Sequence, residues 1–158
     1  MKRRKILFVC TGNTCRSPMA EMILRAEIKR RKIKFVDAAS AGIFAEVGGS
    51  ISQNSAACLA ARGIDYTKFS PRQLKHKMIE SSFAVICMTD AQKELLNGFE
   101  NVYSVREICG FEIPDPHGCG MSVYEDTARM IECACSAVLQ KFFPGEGNDG
   151  ETKRSRKK

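Results

Sequence analysis

At 158 residues the chain has the length of one domain and can bury a substantial core. Its 44% hydrophobic and 27% charged residues are typical of a globular protein, and its net charge of +7 is compatible with an anionic substrate. No apolar run is long enough for a membrane span or the core of a signal peptide, so we expect a cytoplasmic protein that does not bind membranes.

Strand-like and helix-like segments alternate in the first part of the chain. A continuous apolar run over residues 6–9 predicts a strand buried on both faces. Ser17 followed by Pro18 predicts a helix start, with the serine at the N-cap and the proline at the first helical position. Residues 35–40 are typical of a second strand, and residues 55–62 predict a helix that ends at a glycine.

The same alternation continues in the second part. Residues 83–88 predict another buried strand, and residues 101–105 predict a short one. Residues 89–92 and 122–125 have the capping-box pattern, so each predicts a helix N-terminus. The second of these helices is the longest, and Pro144 ends it.

This order of elements predicts one α/β domain over residues 1–143, with a parallel sheet and helices on both faces. Residues 144–158 form a basic tail that we expect to be disordered. The tail has no aromatic residue that could stack on a base, which argues against nucleic acid as a partner. Nothing in the sequence marks secretion, so we expect most of the eight cysteines to be reduced thiols. They include no C-x2-C pair, so we expect no structural zinc site.

The loop between the first strand and the first helix is the main candidate site, since ligands of such folds bind beyond the carboxyl ends of the strands. Its backbone N–H groups and the helix dipole favour an anion, and Gly12 and Asn13 allow a tight cradle. Cys10 begins the loop, where the positive field favours a thiolate. Arg16 can bind two phosphate oxygens as a planar fork, and Ser17 can donate to the sulfur.

These groups suit nucleophilic attack on phosphorus, in which the Cys10 thiolate displaces the leaving group and forms a thiophosphate. Arg16 and the backbone donors would stabilise the transition state. A thiolate cannot protonate the leaving group, so a separate acid is needed. Asp115, held between Pro114 and Pro116 in a stiff turn before the last helix, is our candidate for that acid.

Three segments in the expected order resemble the low-molecular-weight protein tyrosine phosphatase family. Residues 9–21 read VCTGNTCRSPMAE, which is similar to the signature of that family. Residues 40–42 (SAG) resemble the segment after its second strand, and Asp115 with Pro116 resembles its general-acid loop. The similarity extends from about residue 6 to about residue 142 and leaves out the basic tail.

The resemblance implies a four-stranded parallel sheet, no metal and no cofactor. It implies that Cys10 is the nucleophile, Arg16 the phosphate clamp and Asp115 the acid, and that Cys15 can pair with Cys10 on oxidation. It also implies phosphorylated proteins as substrates and a monomer or weak dimer. The residues expected to bind the phosphate are Thr11, Gly12, Asn13, Thr14, Cys15, Arg16 and Ser17.

Two positions bear on the substrate. Many tyrosine-specific members carry Ile or Leu where this chain has Thr14, whereas threonine resembles the bacterial protein arginine phosphatase branch. A threonine hydroxyl can bond a guanidinium, while a branched aliphatic side chain packs on a phenol ring. His117 stands where an aromatic residue usually walls the pocket. We therefore favour phosphoarginine, with phosphotyrosine and small phosphorylated molecules as alternatives.

Two other functions share part of this pattern. Arsenate reductases resemble the family but need two further, closely spaced cysteines, and Cys87 is followed only by the distant Cys109 and Cys119. Cys87 is predicted to lie in the core of the third strand. A module that only binds phosphorylated partners would need neither Cys10 nor Asp115, so the sequence favours an enzyme.

Overall fold

A single four-stranded sheet forms the centre of the computed structural model, which describes residues 2–147. All neighbouring strands are parallel, in the order β2-β1-β3-β4. The sheet confirms the predicted fold class. The strands are β1 (Arg4–Cys10), β2 (Val36–Gly42), β3 (Ala84–Cys87) and β4 (Val102–Ser104).

Helices connect the strands and cover both faces of the sheet. Alternate residues of β1 point to opposite faces, so Ile6 and Phe8 pack in one buried cluster while Leu7 and Val9 pack in another. None of the helices in residues 2–147 is both long and apolar enough to cross a bilayer. The helices are α1 (Arg16–Arg30), α2 (Gln53–Ala61), α3 (His76–Ser81), α4 (Asp90–Glu94), α5 (Val105–Cys109) and α6 (Met121–Phe142).

Of the three helix N-caps that the sequence predicted, one is confirmed and two are wrong. Thr89 and Gln92 form the predicted capping box of α4. Helix α1 begins two residues earlier than predicted, with Cys15 at the N-cap, because the Ser17 hydroxyl bonds the Cys10 sulfur instead of capping the helix. Helix α6 also begins earlier, after Gly120, and has no side-chain cap.

Two short helices were not predicted. Helix α5 begins where the sequence suggested the end of the fourth strand, and its own capping box joins Ser104 and Glu107. Helix α3 has only Ile79 fully buried, so its apolar pattern is too short to identify. The predicted tail falls mostly on residues 148–158, which lie outside the described part of the chain.

The register of the strands places three loops at one edge of the sheet. Cys10 at the end of β1 pairs with Gly42 at the end of β2, and Val9 pairs with Cys87 at the end of β3. The segments that follow these strands therefore meet, as expected for a parallel sheet.

Candidate active site

The loop from Cys10 to Arg16 turns its carbonyl groups away from its concave side. Four of these oxygens accept N–H donors from the segment after β2 or from the start of α2. In a trans peptide the C=O and the following N–H point in opposite directions, so the N–H groups after these carbonyls face the concave side. The donor–acceptor pairs are Ile43 to Cys10 (3.0 Å), Phe44 to Thr11 (2.9 Å), Glu46 to Gly12 (3.1 Å) and Ser52 to Thr14 (2.8 Å).

Asn13 holds the loop from behind. Its φ of 56° lies in the left-handed region, which asparagine tolerates better than most residues. Its side-chain nitrogen donates to the hydroxyls of Ser17 (2.8 Å) and Ser40 (2.9 Å), and its side-chain oxygen accepts the Arg72 N–H (2.8 Å). Every polar atom of this buried side chain is thus used, which fixes the shape of the loop.

The hydrogen bonds of Asn13 leave the Ser17 hydroxyl free to act as a donor to the Cys10 sulfur. The Ser17 hydroxyl oxygen accepts from Asn13, so its own hydrogen is available to the Cys10 Sγ at 2.7 Å. Both side chains are buried. A donor in this position holds the Cys10 sulfur in place at the uncapped N-terminus of α1.

The network ends at the carboxyl group of Glu21, which is only 2% exposed. Ser40 donates its hydroxyl hydrogen to Glu21 Oε1 at 2.8 Å, so the Ser40 oxygen remains an acceptor for Asn13. Burial raises the pKa of Glu21, while the Ser40 hydrogen bond and the nearby Arg25 and Arg72 act in the opposite direction. By accepting the Ser40 hydrogen, the carboxyl group sets the donor directions of the series of hydrogen bonds that runs through Asn13 and Ser17 to Cys10.

Gly42 lets the second strand approach the loop closely. A Cβ at this position would lie 2.6 Å from the Thr11 carbonyl oxygen and 3.0 Å from the Asn13 nitrogen, and both are backbone atoms. On the other side, Gln92 Nε2 donates to the Thr11 Oγ1 at 3.2 Å. The loop is thus packed between the ends of β2 and β3.

Arg16 joins the loop to the segment before α6. Its guanidinium is nearly buried, and Nη1 donates to the Ile113 carbonyl oxygen at 3.0 Å. Two residues further on, Asp115 Oδ1 accepts the His117 N–H at 3.1 Å in a turn of the Asx type. Asp115 and His117 are both exposed, so a ligand can reach them.

These side chains surround one pocket of about 210 Å³ at the carboxyl edge of the sheet. The pocket brings together most of the residues that the sequence singled out, while Asn13 and Ser17 lie buried behind the loop. Phe44 and Glu46 were not predicted from the sequence, although the SAG segment ends only two residues before Phe44. The lining residues are Cys10, Thr11, Gly12, Thr14, Cys15, Arg16, Phe44, Glu46, Asp115 and His117.

Cys15 is a second buried thiol in the loop. Its Sγ lies 3.5 Å from the Tyr124 hydroxyl of α6, and both Cys10 and Cys15 are free thiols. Burial and the contact with Cys15 raise the pKa of Tyr124 to about 12. The phenol is therefore protonated at neutral pH.

The other cysteines differ in their surroundings. Cys87 is completely buried at the end of β3, as predicted, and burial raises the pKa of its thiol to about 12. Cys109 is half-buried and Cys119 is exposed. On α6, Cys133 is exposed and Cys135 is buried, because residues two apart on a helix lie on different faces.

A parallel α/β domain with a cradle of N–H groups between its first strand and first helix, and a cysteine at the start of that cradle, defines a phosphatase domain. A family model described as low molecular weight phosphotyrosine protein phosphatase matches residues 5–144. The chain therefore belongs to this family.

Relatives with two different named specificities match over most of their length. The protein-arginine-phosphatase of Geobacillus stearothermophilus is 30% identical over 146 residues, which cover 87% of this chain and 95% of that protein. The low molecular weight protein-tyrosine-phosphatase PtpB of Staphylococcus epidermidis is 36% identical over 133 residues, which cover 80% of this chain and 91% of PtpB. The sequence identity to these two relatives therefore does not decide between phosphoarginine and phosphotyrosine as the substrate of this chain.

A solved structure of a variant YwlE arginine phosphatase, in which the active-site serine is phosphorylated, superposes on this chain with a TM-score of 0.80. The two chains are 29% identical, and the match covers 88% of this chain and 97% of the other.

Proposed function

We propose that this protein hydrolyses phosphoarginine in proteins, through a thiophosphate on Cys10. The observation that carries the proposal is the position of Thr14, whose half-buried side chain lines the pocket that also contains Cys10 and Arg16. Phosphotyrosine is the alternative, and the similarity to PtpB favours it.

In the first step the Cys10 thiolate attacks phosphorus and the bond to the leaving nitrogen breaks. The N–H groups of the loop and the Arg16 guanidinium bind the equatorial oxygens, on which negative charge accumulates. The Asp115 carboxyl group donates a proton to the nitrogen as the arginine side chain leaves. The products are a thiophosphate on Cys10, an unmodified arginine and a carboxylate at Asp115.

In the second step the Asp115 carboxylate takes a proton from a water molecule, whose oxygen attacks the thiophosphate. The bond between phosphorus and sulfur breaks, and inorganic phosphate and the Cys10 thiolate are released. The Ser17 hydroxyl stabilises this thiolate as a leaving group. The two steps need no metal or other cofactor.

Thr14 offers a hydroxyl to the group that carries the phosphate. A guanidinium has N–H donors that this oxygen can accept, whereas a phenol ring gains only apolar contact. An arginine substrate would therefore lose a hydrogen bond if the hydroxyl were removed, and a tyrosine substrate would not.

The Thr14→Val variant removes this hydroxyl with little change in shape. We expect its kcat/KM for a phosphoarginine peptide to fall about tenfold, the effect of one hydrogen bond to a charged group, and its kcat/KM for phosphotyrosine to stay the same or rise. Thr14→Ser, which keeps the hydroxyl, is the matched control. Equal losses for both peptides in Thr14→Val would contradict the assigned role of the hydroxyl.

We further propose that oxidation joins Cys10 and Cys15. A peroxide oxidises the Cys10 thiolate to a sulfenic acid, and the Cys15 thiol displaces water from it to form a disulfide. Activity lost to peroxide should then return with a dithiol reductant in the wild type but not in Cys15→Ser. Full recovery of Cys15→Ser would show that this pairing does not protect the enzyme.

A further inference from the structure

Glu46 is a charged side chain at the mouth of the pocket that the mechanism above does not use. The lining of the pocket includes Glu46 together with Phe44, Thr14 and Asp115. Within residues 2–147, no side chain forms a hydrogen bond or ion pair with the Glu46 carboxylate, and the residue is exposed. A carboxylate beside a phosphate cradle is unfavourable for the phosphate itself, so its presence calls for a cationic group on the substrate.

The backbone of Glu46 is held firmly against the phosphate loop. Its N–H donates to the Gly12 carbonyl oxygen at 3.1 Å, and its own carbonyl oxygen accepts the Gly49 N–H at 2.9 Å. The neighbouring Phe44 N–H donates to the Thr11 carbonyl oxygen, and at Gly42 the strand approaches the loop too closely for a Cβ to fit. The Cα of Glu46 is therefore held close to the loop that would bind the phosphate, and its side chain starts from that position.

We propose that Glu46 is a specificity-determining residue that binds the guanidinium part of phosphoarginine. This inference rests on the proposed function and adds a residue to it. While the phosphoryl group lies in the loop, the guanidinium nitrogens that carry no phosphate face the mouth of the pocket. A carboxylate there can accept two parallel N–H donors from the planar fork. Phe44, 75% exposed, offers a ring face on which the same plane can stack.

The same geometry discriminates against phosphotyrosine. A phenol ring has no donor for the Glu46 carboxylate, and the negative charge close to the dianionic phosphate raises the free energy of that complex. Glu46 would thus favour phosphoarginine by attracting its guanidinium and disfavour phosphotyrosine by repelling its phosphate. Thr14 is half-buried and Glu46 is exposed, and the two side chains are on different loops, so their contributions can be measured separately.

The test compares two proteins: the Cys10→Ala variant, called the parent, and the same variant that also carries Glu46→Gln. Both can bind a substrate but cannot accept the phosphoryl group. Calorimetry gives Kd for two peptides of identical sequence, one with phosphoarginine and one with phosphotyrosine. We expect Glu46→Gln to raise Kd for the phosphoarginine peptide about five- to tenfold, a modest change because the ion pair is partly solvated. We expect the same variant to lower Kd for the phosphotyrosine peptide or leave it unchanged.

Two controls separate recognition from structural damage. Inorganic phosphate should bind Glu46→Gln at least as tightly as the parent, because the cradle is intact. Glu80→Gln removes the same charge from the exposed surface of α3, close to Arg4 at the amino end of β1, and should leave the ratio of the two Kd values unchanged.

The outcomes distinguish this inference from the proposed function. If Glu46→Gln weakens both peptides equally, Glu46 does not select the guanidinium, and the proposed function stands without it. If the parent binds the phosphotyrosine peptide more tightly, or binds neither peptide, both the inference and the proposed substrate are wrong.

Discussion

Cys10→Ser is expected to lower kcat for any phosphorylated substrate by more than about 10⁴-fold, as is typical when an enzyme loses its nucleophile. The fold should be retained. In the wild type the Ser17 hydroxyl lies 2.7 Å from the Cys10 sulfur, and a serine oxygen at position 10 can form the same hydrogen bond. Phosphate binding should also remain, since the cradle is made of backbone N–H groups and Arg16. A serine hydroxyl is a poor leaving group, so one phosphoryl group transferred to position 10 should stay there.

Steady-state kinetics with p-nitrophenyl phosphate and a phosphoarginine peptide measure the loss, and intact-protein mass spectrometry detects the trapped phosphoryl group. Cys133→Ser is the matched control, since it removes an exposed thiol of α6 and should keep full activity. Turnover by Cys10→Ser within about tenfold of the wild type would rule out Cys10 as the nucleophile.

The fall in kcat caused by removing the general acid should depend on the leaving group of the substrate. Asp115→Asn keeps the shape and the Asx turn with the His117 N–H, but it cannot donate a proton. We expect kcat to fall about 10²- to 10⁴-fold for a phosphoarginine peptide, whose nitrogen needs the proton to leave. For p-nitrophenyl phosphate, whose leaving group is a stable anion, the fall in the first step should be smaller.

Burst kinetics separate the two steps and show which one the substitution slows. Asp126→Asn is the control, because Asp126 is an exposed carboxylate of α6 that forms an ion pair with Arg129 at the surface. Equal losses for good and poor leaving groups in the first step would mean that Asp115 does not protonate the leaving group.

The phosphate loop could be located from the sequence because its local features agree with one another. A buried strand, a run of small and polar residues and a helix start occur in immediate succession, and this order places Cys10 at the carboxyl edge of any parallel sheet. The role of Asn13 as a loop former is also local, since its positive φ follows from the tight turn. The strands were identified for the same reason, as short apolar runs.

The errors arose where a side chain has a long-range partner. Ser17 has the chemistry of an N-cap, but its hydroxyl bonds Cys10, so α1 begins earlier. Phe44 and Glu46 reach the pocket only through hydrogen bonds between two loops that are about thirty residues apart.

The most direct test of the proposed function is the wild-type kcat/KM for two peptides of identical sequence, one carrying phosphoarginine and the other phosphotyrosine. We expect the phosphoarginine peptide to be preferred by at least about tenfold, since Thr14 and Glu46 each offer the guanidinium an interaction that a phenol lacks. A preference for the phosphotyrosine peptide would contradict the proposal and would identify Thr14 as a neutral variant in a tyrosine phosphatase.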